Sequence, residues 1–265
     1  MQKAFKDKVI WITGASSGIG EALAYELSKA GAYLVLSSRE ITELERVRSN
    51  CSVPDKTLVL PCDVTDFDNT DTIAQKAIDF QGRIDLLINN AGISQRALAQ
   101  ETKLAVDQQI MNVNYFGNIA ITKAILPHMI ERQQGHIVVM SSVLGKMGVP
   151  YRSAYCASKH ALQGFYDALR AEIHKENIDV TTICPGYVRT NVTKNALKGD
   201  GTPNNFVASS TASGYNPKEF AEMALRAIAK RRKEVYFAKR ELRGVYLNRL
   251  SPNIFFRLIR NYKLK

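Results

Sequence analysis

Val9-Ile10-Trp11-Ile12-Thr13 runs into Gly14-Ala15-Ser16-Ser17-Gly18-Ile19-Gly20 and then into an amphipathic stretch that lasts to Ala30. The first five residues have the length and apolar content of a short buried strand, and the last stretch has helical period. Between them, glycines let the backbone approach a ligand closely, and the start of the helix aims unpaired N–H groups at negative charge. Strand, glycine turn and helix in that order form a site for the phosphates of a dinucleotide. The spacing is Gly-x-x-x-Gly-x-Gly, not the Gly-x-Gly-x-x-Gly of ordinary Rossmann turns. Glycines that merely turn the chain are the alternative, and the flanking strand and helix weigh against it.

Outward from this unit, strand and helix patterns alternate. Tyr33-Leu34-Val35-Leu36-Ser37 is a second strand, ending at Ser38-Arg39-Glu40. An acidic side chain at this distance past the glycines binds adenosine ribose hydroxyls, whereas an arginine accepts a 2′-phosphate. Arg39 therefore favours NADP(H) over NAD(H). The counter-reading is a solvated Arg39 with Glu40 on the ribose, and Ser16 offers no second cation in the first loop. Leu58 to Pro61 is a third strand, followed by Asp63 and Val64; Asp63 could meet the adenine amino group or cap the helix that starts near Phe67. Leu86-Leu87-Ile88-Asn89 is a fourth, followed by Asn90-Ala91-Gly92, whose small residues leave room for a ribose while the asparagines could simply hold the turn. A long helix is expected from about Leu104 to Arg132, bent at Pro127. It contains Asn112 and Asn114, poor helix-interior residues, so one of them has a local job.

Gly135 to Met140 reads as a buried strand that delivers Ser142 at its carboxyl end. Thirteen residues later comes Tyr155-Cys156-Ala157-Ser158-Lys159. Tyrosine and lysine four apart share a helix face, about 6 Å apart along its axis. A phenol titrates near pH ~10, so it works as an acid and base at neutral pH only beside a fixed positive charge. Lys159 is placed to supply it. Tyr25 and Lys29 repeat the spacing with no chemistry attached, so the serine strand end is what distinguishes the later pair. Asp179 to Cys184 is a sixth strand, broken by Pro185-Gly186-Tyr187-Val188-Arg189-Thr190, where a cofactor amide could meet backbone and the Thr190 hydroxyl. The pattern specifies an α/β, doubly wound, Rossmann-type parallel sheet with its ligands at the carboxyl ends of the strands.

A chain of 265 residues with 45% apolar content supports one core. Cys51, Cys62, Cys156 and Cys184 are scattered without a Cys-x-x-Cys pair, which fits free thiols in a reducing cytoplasm, and neither they nor the four histidines form a metal-ligand pattern. The polar amino terminus does not read as a secretory signal, and no run of eighteen apolar residues spans a bilayer. The net charge of +11 is concentrated: residues 239 to 265 carry eight basic side chains against Glu241, a net +7. A nucleic-acid binder would spread a basic stripe with stacking aromatics across the fold.

Thr13 to Gly20, Asn89-Asn90-Ala91-Gly92, Asn114, Ser142, Tyr155 to Lys159 and Pro185-Gly186 resemble, in order, the motif series of the short-chain dehydrogenase/reductase family over roughly residues 5 to 240. The resemblance implies a seven-stranded sheet. It implies Tyr155 as acid and base, Ser142 on the substrate oxygen, Lys159 on the nicotinamide ribose and supporting the phenolate, and Asn114 anchoring a water relay. Gly14, Ser17, Gly18, Ile19 and Gly20, with Ser16, would hold the phosphates; Arg39, with Ser38, the 2′-phosphate; Asp63 and Val64 the adenine; Asn89, Ala91 and Gly92 the ribose. Pro185, Gly186, Val188 and Thr190 would meet the nicotinamide. Similar enzymes pair or tetramerise through the helices that here carry Asn114 and Tyr155. The implied activity is NADP(H)-dependent interconversion of a carbonyl and a secondary alcohol. A non-catalytic NADP-binding lipid sensor is the rival, and the intact Ser142, Tyr155 and Lys159 weigh against it. An extended-branch epimerase would need a larger carboxyl-terminal domain.

Residues 1–240 read as one catalytic domain. Within it, 191–216 is rich in Gly, Ser, Thr and Asn and follows the nicotinamide site, so it is expected to be a lid over substrate. Residues 241–265 are a basic amphipathic helical extension opened by Ser251-Pro252. It packs on the core or a partner subunit, or it anchors a cytoplasmic protein to an anionic membrane surface. Loop and tail together resemble the member-7B-like dehydrogenase/reductases, a membrane-associated branch, which implies lipophilic carbonyl substrates.

Overall fold

The computed structural model describes residues 2–206 and 212–261. A single helical turn, α1 (Gln2–Phe5), precedes β1 (Val9–Thr13), every residue of which is buried. A strand apolar on both faces belongs inside a parallel sheet covered on both sides. Around it lie β2 (Tyr33–Ser37), β3 (Thr57–Val59), β4 (Leu86–Asn89), β5 (Gly135–Met140), β6 (Ile178–Pro185) and β7 (Glu234–Phe237). All pairs are parallel, and the order is β3-β2-β1-β4-β5-β6-β7, the expected seven-stranded doubly wound sheet. The order reverses between β1 and β4, which opens a crevice at their carboxyl ends.

One face is covered by α2 (Gly18–Lys29), α3 (Ile41–Ser49) and α8 (Pro217–Ala229), which pack Leu23, Leu27, Leu44, Phe220 and Leu225 against Ile10, Leu34 and Leu36. The other is covered by α4 (Thr70–Asp79), α6 (Gly117–Glu131) and α7 (Ser153–Glu172), which set Ala77, Ile125, Leu162 and Tyr166 against Trp11, Leu87 and Val139. Alternate residues of each strand feed the two cores, as a period of two requires.

The single bent helix expected over 104–132 is instead two helices, α5 (Leu104–Met111) and α6, joined by a π-helical turn at Asn112–Phe116; Pro127 lies inside α6. The break falls where asparagine amides compete for backbone partners. The region read as a patternless lid is partly ordered: Leu197 N–H donates to Ser94 O, Arg96 N–H to Leu197 O and Lys103 N–H to Gly199 O. Residues 207–211 of that lid, Ala208 to Thr211 among them, lie outside the described residues. At the carboxyl end, α9 (Glu241–Leu250) and α10 (Pro252–Ile259) sink Val245 and Phe255 against Val143 and Met147. Tail residues Lys263 and Lys265 lie outside the described residues.

His136 in β5 is 7% exposed, with Nε2 2.8 Å from Thr181 Oγ1. The Thr181 hydroxyl donates to Arg232 O, so the imidazole carries its hydrogen on Nε2. Burial moves its pKa from 6.5 to about 4. The unfolded chain therefore binds a proton that the folded chain refuses between these values, and stability present above pH ~6.5 is lost on acidification, by up to ~3 kcal/mol. Urea unfolding at pH 7 and pH 4.5 is expected to show a smaller acid loss in His136→Gln than in the wild type; equal losses would refute this.

Candidate active site

The carboxyl ends of the strands enclose a cavity of about 520 Å³. At its phosphate end Gly14 has a φ of 64°, in the left-handed region, and a Cβ there would lie 2.9 Å from Ala91 Cα. Only glycine lets the turn lie this close to the β4 end. The cap of α2, Ser17, makes no side-chain capping bond, and Gly14, Ser16, Ser17, Gly18 and Ile19 all line the cavity. The first amides of a twelve-residue helix thus open onto a glycine cradle, which fits a pyrophosphate. Gly20 does not line the cavity. A Cβ on it would meet Gly14 O at 2.2 Å, so its role is to seat the helix against the turn.

Ser38, Arg39, Asp63 and Val64 also line the cavity, at the ends of β2 and β3, with Ala15 N–H donating to Ser37 O. Arg39 is exposed and forms no ion pair among the described residues. Asp63 closes a local turn by accepting from Thr65 N–H and Oγ1, and does not cap the following helix. A cation does reach Ser16: Arg46 of α3 donates to its carbonyl at 3.1 Å, but Glu21 and Glu43 already offset the charge. No signal in the sequence joins residues so far apart.

The structure corrects Asn89. Its side chain is 1% exposed and donates to Thr122 and Tyr166 in the core, because successive residues of a strand face opposite sides. Neighbouring Asn90 lines the cavity instead and donates to Thr13 O and Gly14 O, pinning the β4 turn to the glycine turn. Ala91, Gly92, Pro185, Gly186, Val188 and Thr190 line the cavity, with Thr190 Cγ2 over Gly18.

Asn114 is fully buried in the π turn. Its Oδ1 accepts from Ile93 N–H, and its Nδ2 donates to Ile93 O and Ser158 Oγ. Both amide hydrogens are spent clamping the β4 loop to α7, so only a lone pair is left for any relay.

Ser142, Tyr155 and Lys159 converge on the cavity. Extended backbone at Ser142 (φ −166°) presents its hydroxyl at the β5 end, where it accepts from Leu144 N–H and lies 3.4 Å from Pro185 O. Adjacent Ser141 turns inward to Lys159 O and Gln163. Lys159 is 5% exposed; its Nζ donates to Met140 O at 2.8 Å and stands 5.7 Å from the Tyr155 ring centroid. Burial lowers its pKa to about 8, so it is still mostly protonated at neutral pH. Burial pushes the Tyr155 phenol up, opposed first by the Arg152 charge and then by a hydrogen bond with Ser142.

A glycine cradle for phosphates, joined by one cavity to a serine–tyrosine–lysine cluster, defines an oxidoreductase that uses a nicotinamide dinucleotide. The chain belongs to the short-chain dehydrogenase family, whose model matches residues 8–201. It is 44% identical over 259 residues to dehydrogenase/reductase SDR family member 7B of Xenopus laevis, covering 95% of this chain and 80% of the relative. Among solved structures it is similar to ElxO with NADP bound, at 27% identity and TM-score 0.79, covering 89% of this chain and 99% of that one. A short-chain dehydrogenase/reductase from Burkholderia phymatum in complex with NAD shares the fold at 24% identity and TM-score 0.86, with 99% of each chain covered.

Proposed function

We propose that this chain interconverts a carbonyl and a secondary alcohol with NADP(H), on a lipophilic substrate. The observation that carries the reading is that Ser142 and Tyr155 share a cavity with Arg39, a cation with no ion-pair partner among the described residues. A nicotinamide bound in this cavity would supply hydride for the carbonyl carbon. Ser142 and Tyr155 hydroxyls hold the oxygen on which negative charge grows. Tyr155 then donates its proton to that oxygen, and Lys159 and the Asn114 clamp keep α7 in register with the cavity.

The test is NADPH and NADH consumption over ketones and aldehydes graded by chain length, in wild type and Arg39→Ala. A charge-assisted phosphate contact predicts a loss of about 10- to 100-fold in NADPH affinity with little change for NADH. Equal losses for both would refute the preference, and indifference to chain length would refute the lipophilic substrate.

The carboxyl-terminal helices support a membrane-surface contact. Leu250, Ile254 and Leu258 are 82%, 52% and 63% exposed, beside exposed Arg249, Arg257 and Arg260. No helix among the described residues is long and apolar enough to cross a membrane, so contact would be peripheral. Changing all three apolar residues to Ser is expected to reduce sedimentation with phosphatidylserine vesicles. Equal recovery of variant and wild type in the supernatant would reject the contact.

A further inference from the structure

Arg152 lies just ahead of α7, three residues before Tyr155, and its side chain is 7% exposed. One guanidinium nitrogen donates to Ser94 Oγ at 2.8 Å, and the guanidinium carbon stands 5.9 Å from the Tyr155 ring centroid. Among the described residues no carboxylate lies within ion-pair distance of it. By contrast, Arg46, Arg83, Arg132, Arg170 and Arg231 each meet a carboxylate.

A guanidinium cannot shed its proton to escape burial, so the fold keeps an uncompensated positive charge here. Such a charge is unfavourable unless an anion forms beside it, and the anion available at this position is the Tyr155 phenolate. We propose that Arg152 is a positioning residue whose guanidinium, fixed by Ser94, holds positive charge against the Tyr155 ring and stabilises the phenolate left when the hydroxyl gives up its proton. This rests on Tyr155 as the proton donor of the proposed reaction.

The other groups around the phenol leave this role open. On α7, the Lys159 ammonium, 5.7 Å from the Tyr155 ring centroid, is a second positive charge beside the ring, and the Cys156 thiol acts in the opposite sense. At the β5 end Ser142 contributes a hydrogen bond and no charge. On the loop that carries Ser94, Arg96 lies 6.0 Å from the Phe206 ring. In the reaction the Tyr155 O–H bond breaks as the substrate O–H bond forms, and the phenolate later recovers a proton from water; Arg152 stays charged throughout.

The experiment is ¹⁹F NMR of the full chain labelled with 3-fluorotyrosine, whose ring fluorine makes the phenol more acidic. The Tyr155 signal is assigned by its loss in Tyr155→Phe and followed against pH. In Arg152→Gln its titration is expected at least about one pH unit above wild type, the scale of a lost opposite charge at this range. Arg152→Lys is expected to keep more than half of the effect. If Arg152→Gln titrates where wild type does, with the other tyrosine signals in place, the proposal is overturned. Should that variant not fold, Ser94→Ala, which frees the guanidinium, is expected to shift the signal upward by a smaller amount, and no shift overturns the proposal. The readout needs neither substrate nor cofactor, so its failure is separate from failure of the proposed reaction, which turnover by Tyr155→Phe decides.

Discussion

Tyr155→Phe is expected to lower kcat for carbonyl reduction by about 10³-fold while leaving the Kd for NADPH within about twofold. The change removes one hydroxyl and keeps the ring, so the packing of α7 and the cation contacts on the ring's face survive. Only the hydrogen bond with Ser142 and the transferable proton disappear. Both act on charge that exists in the transition state and not in bound cofactor, which is why the loss falls on turnover, by about 4 kcal/mol. Steady-state NADPH oxidation with a ketone found by the chain-length screen measures one half, and fluorescence titration of NADPH the other. Residual activity within tenfold of wild type would remove Tyr155 as the proton donor.

Gly20→Ala is expected to be nearly as damaging by a different route. Its Cβ would lie 2.2 Å from Gly14 O and 2.7 Å from Asn90 Nδ2. The first contact is with backbone, so relief requires moving either the start of α2 or the glycine turn, and both form the phosphate cradle. Overpacking of this kind costs about 1–3 kcal/mol in stability, and a shifted cradle loses its amide geometry toward phosphate. A lower Tm together with at least about tenfold weaker binding of both NADPH and NADH is the expected pattern. Gly164→Ala, inside α7 with nothing within 4 Å of its Cβ, is the control; it is expected to leave binding unchanged and not to lower Tm, since alanine is the better helix former. Unaltered binding by Gly20→Ala would show that the turn yields more easily than its geometry suggests.

Much of this was legible in the sequence because strand ends and helix starts announce themselves. Val9 to Thr13 has no polar residue before its last position, and Ser142 follows a run that is buried throughout. What was not legible depends on register and distance. Nothing in Asn89-Asn90 says which amide faces the ligand; the pleat decides, and it sent Asn89 to Tyr166 and Asn90 to the glycine turn. Arg46 reaches Ser16 across 30 positions. The lacing of residues 197 and 199 to the loop at 94–103 runs through backbone groups, which leave no side-chain code. Arg152 carries no sequence signal, since a lone arginine before a helix usually lies in solvent; its burial, and the lack of a carboxylate beside it among the described residues, give it meaning.

The packing of α9 and α10 has a practical consequence. Val245 and Phe255 bury Val143 and Met147, in the segment that follows Ser142, and Asn248 donates to Lys146 O in the same segment. Trimming the chain at Lys239 to obtain a simpler expression product would strip away this buttress, and a drop in turnover afterwards would report a loosened foothold for Ser142, not a lost affinity for lipid.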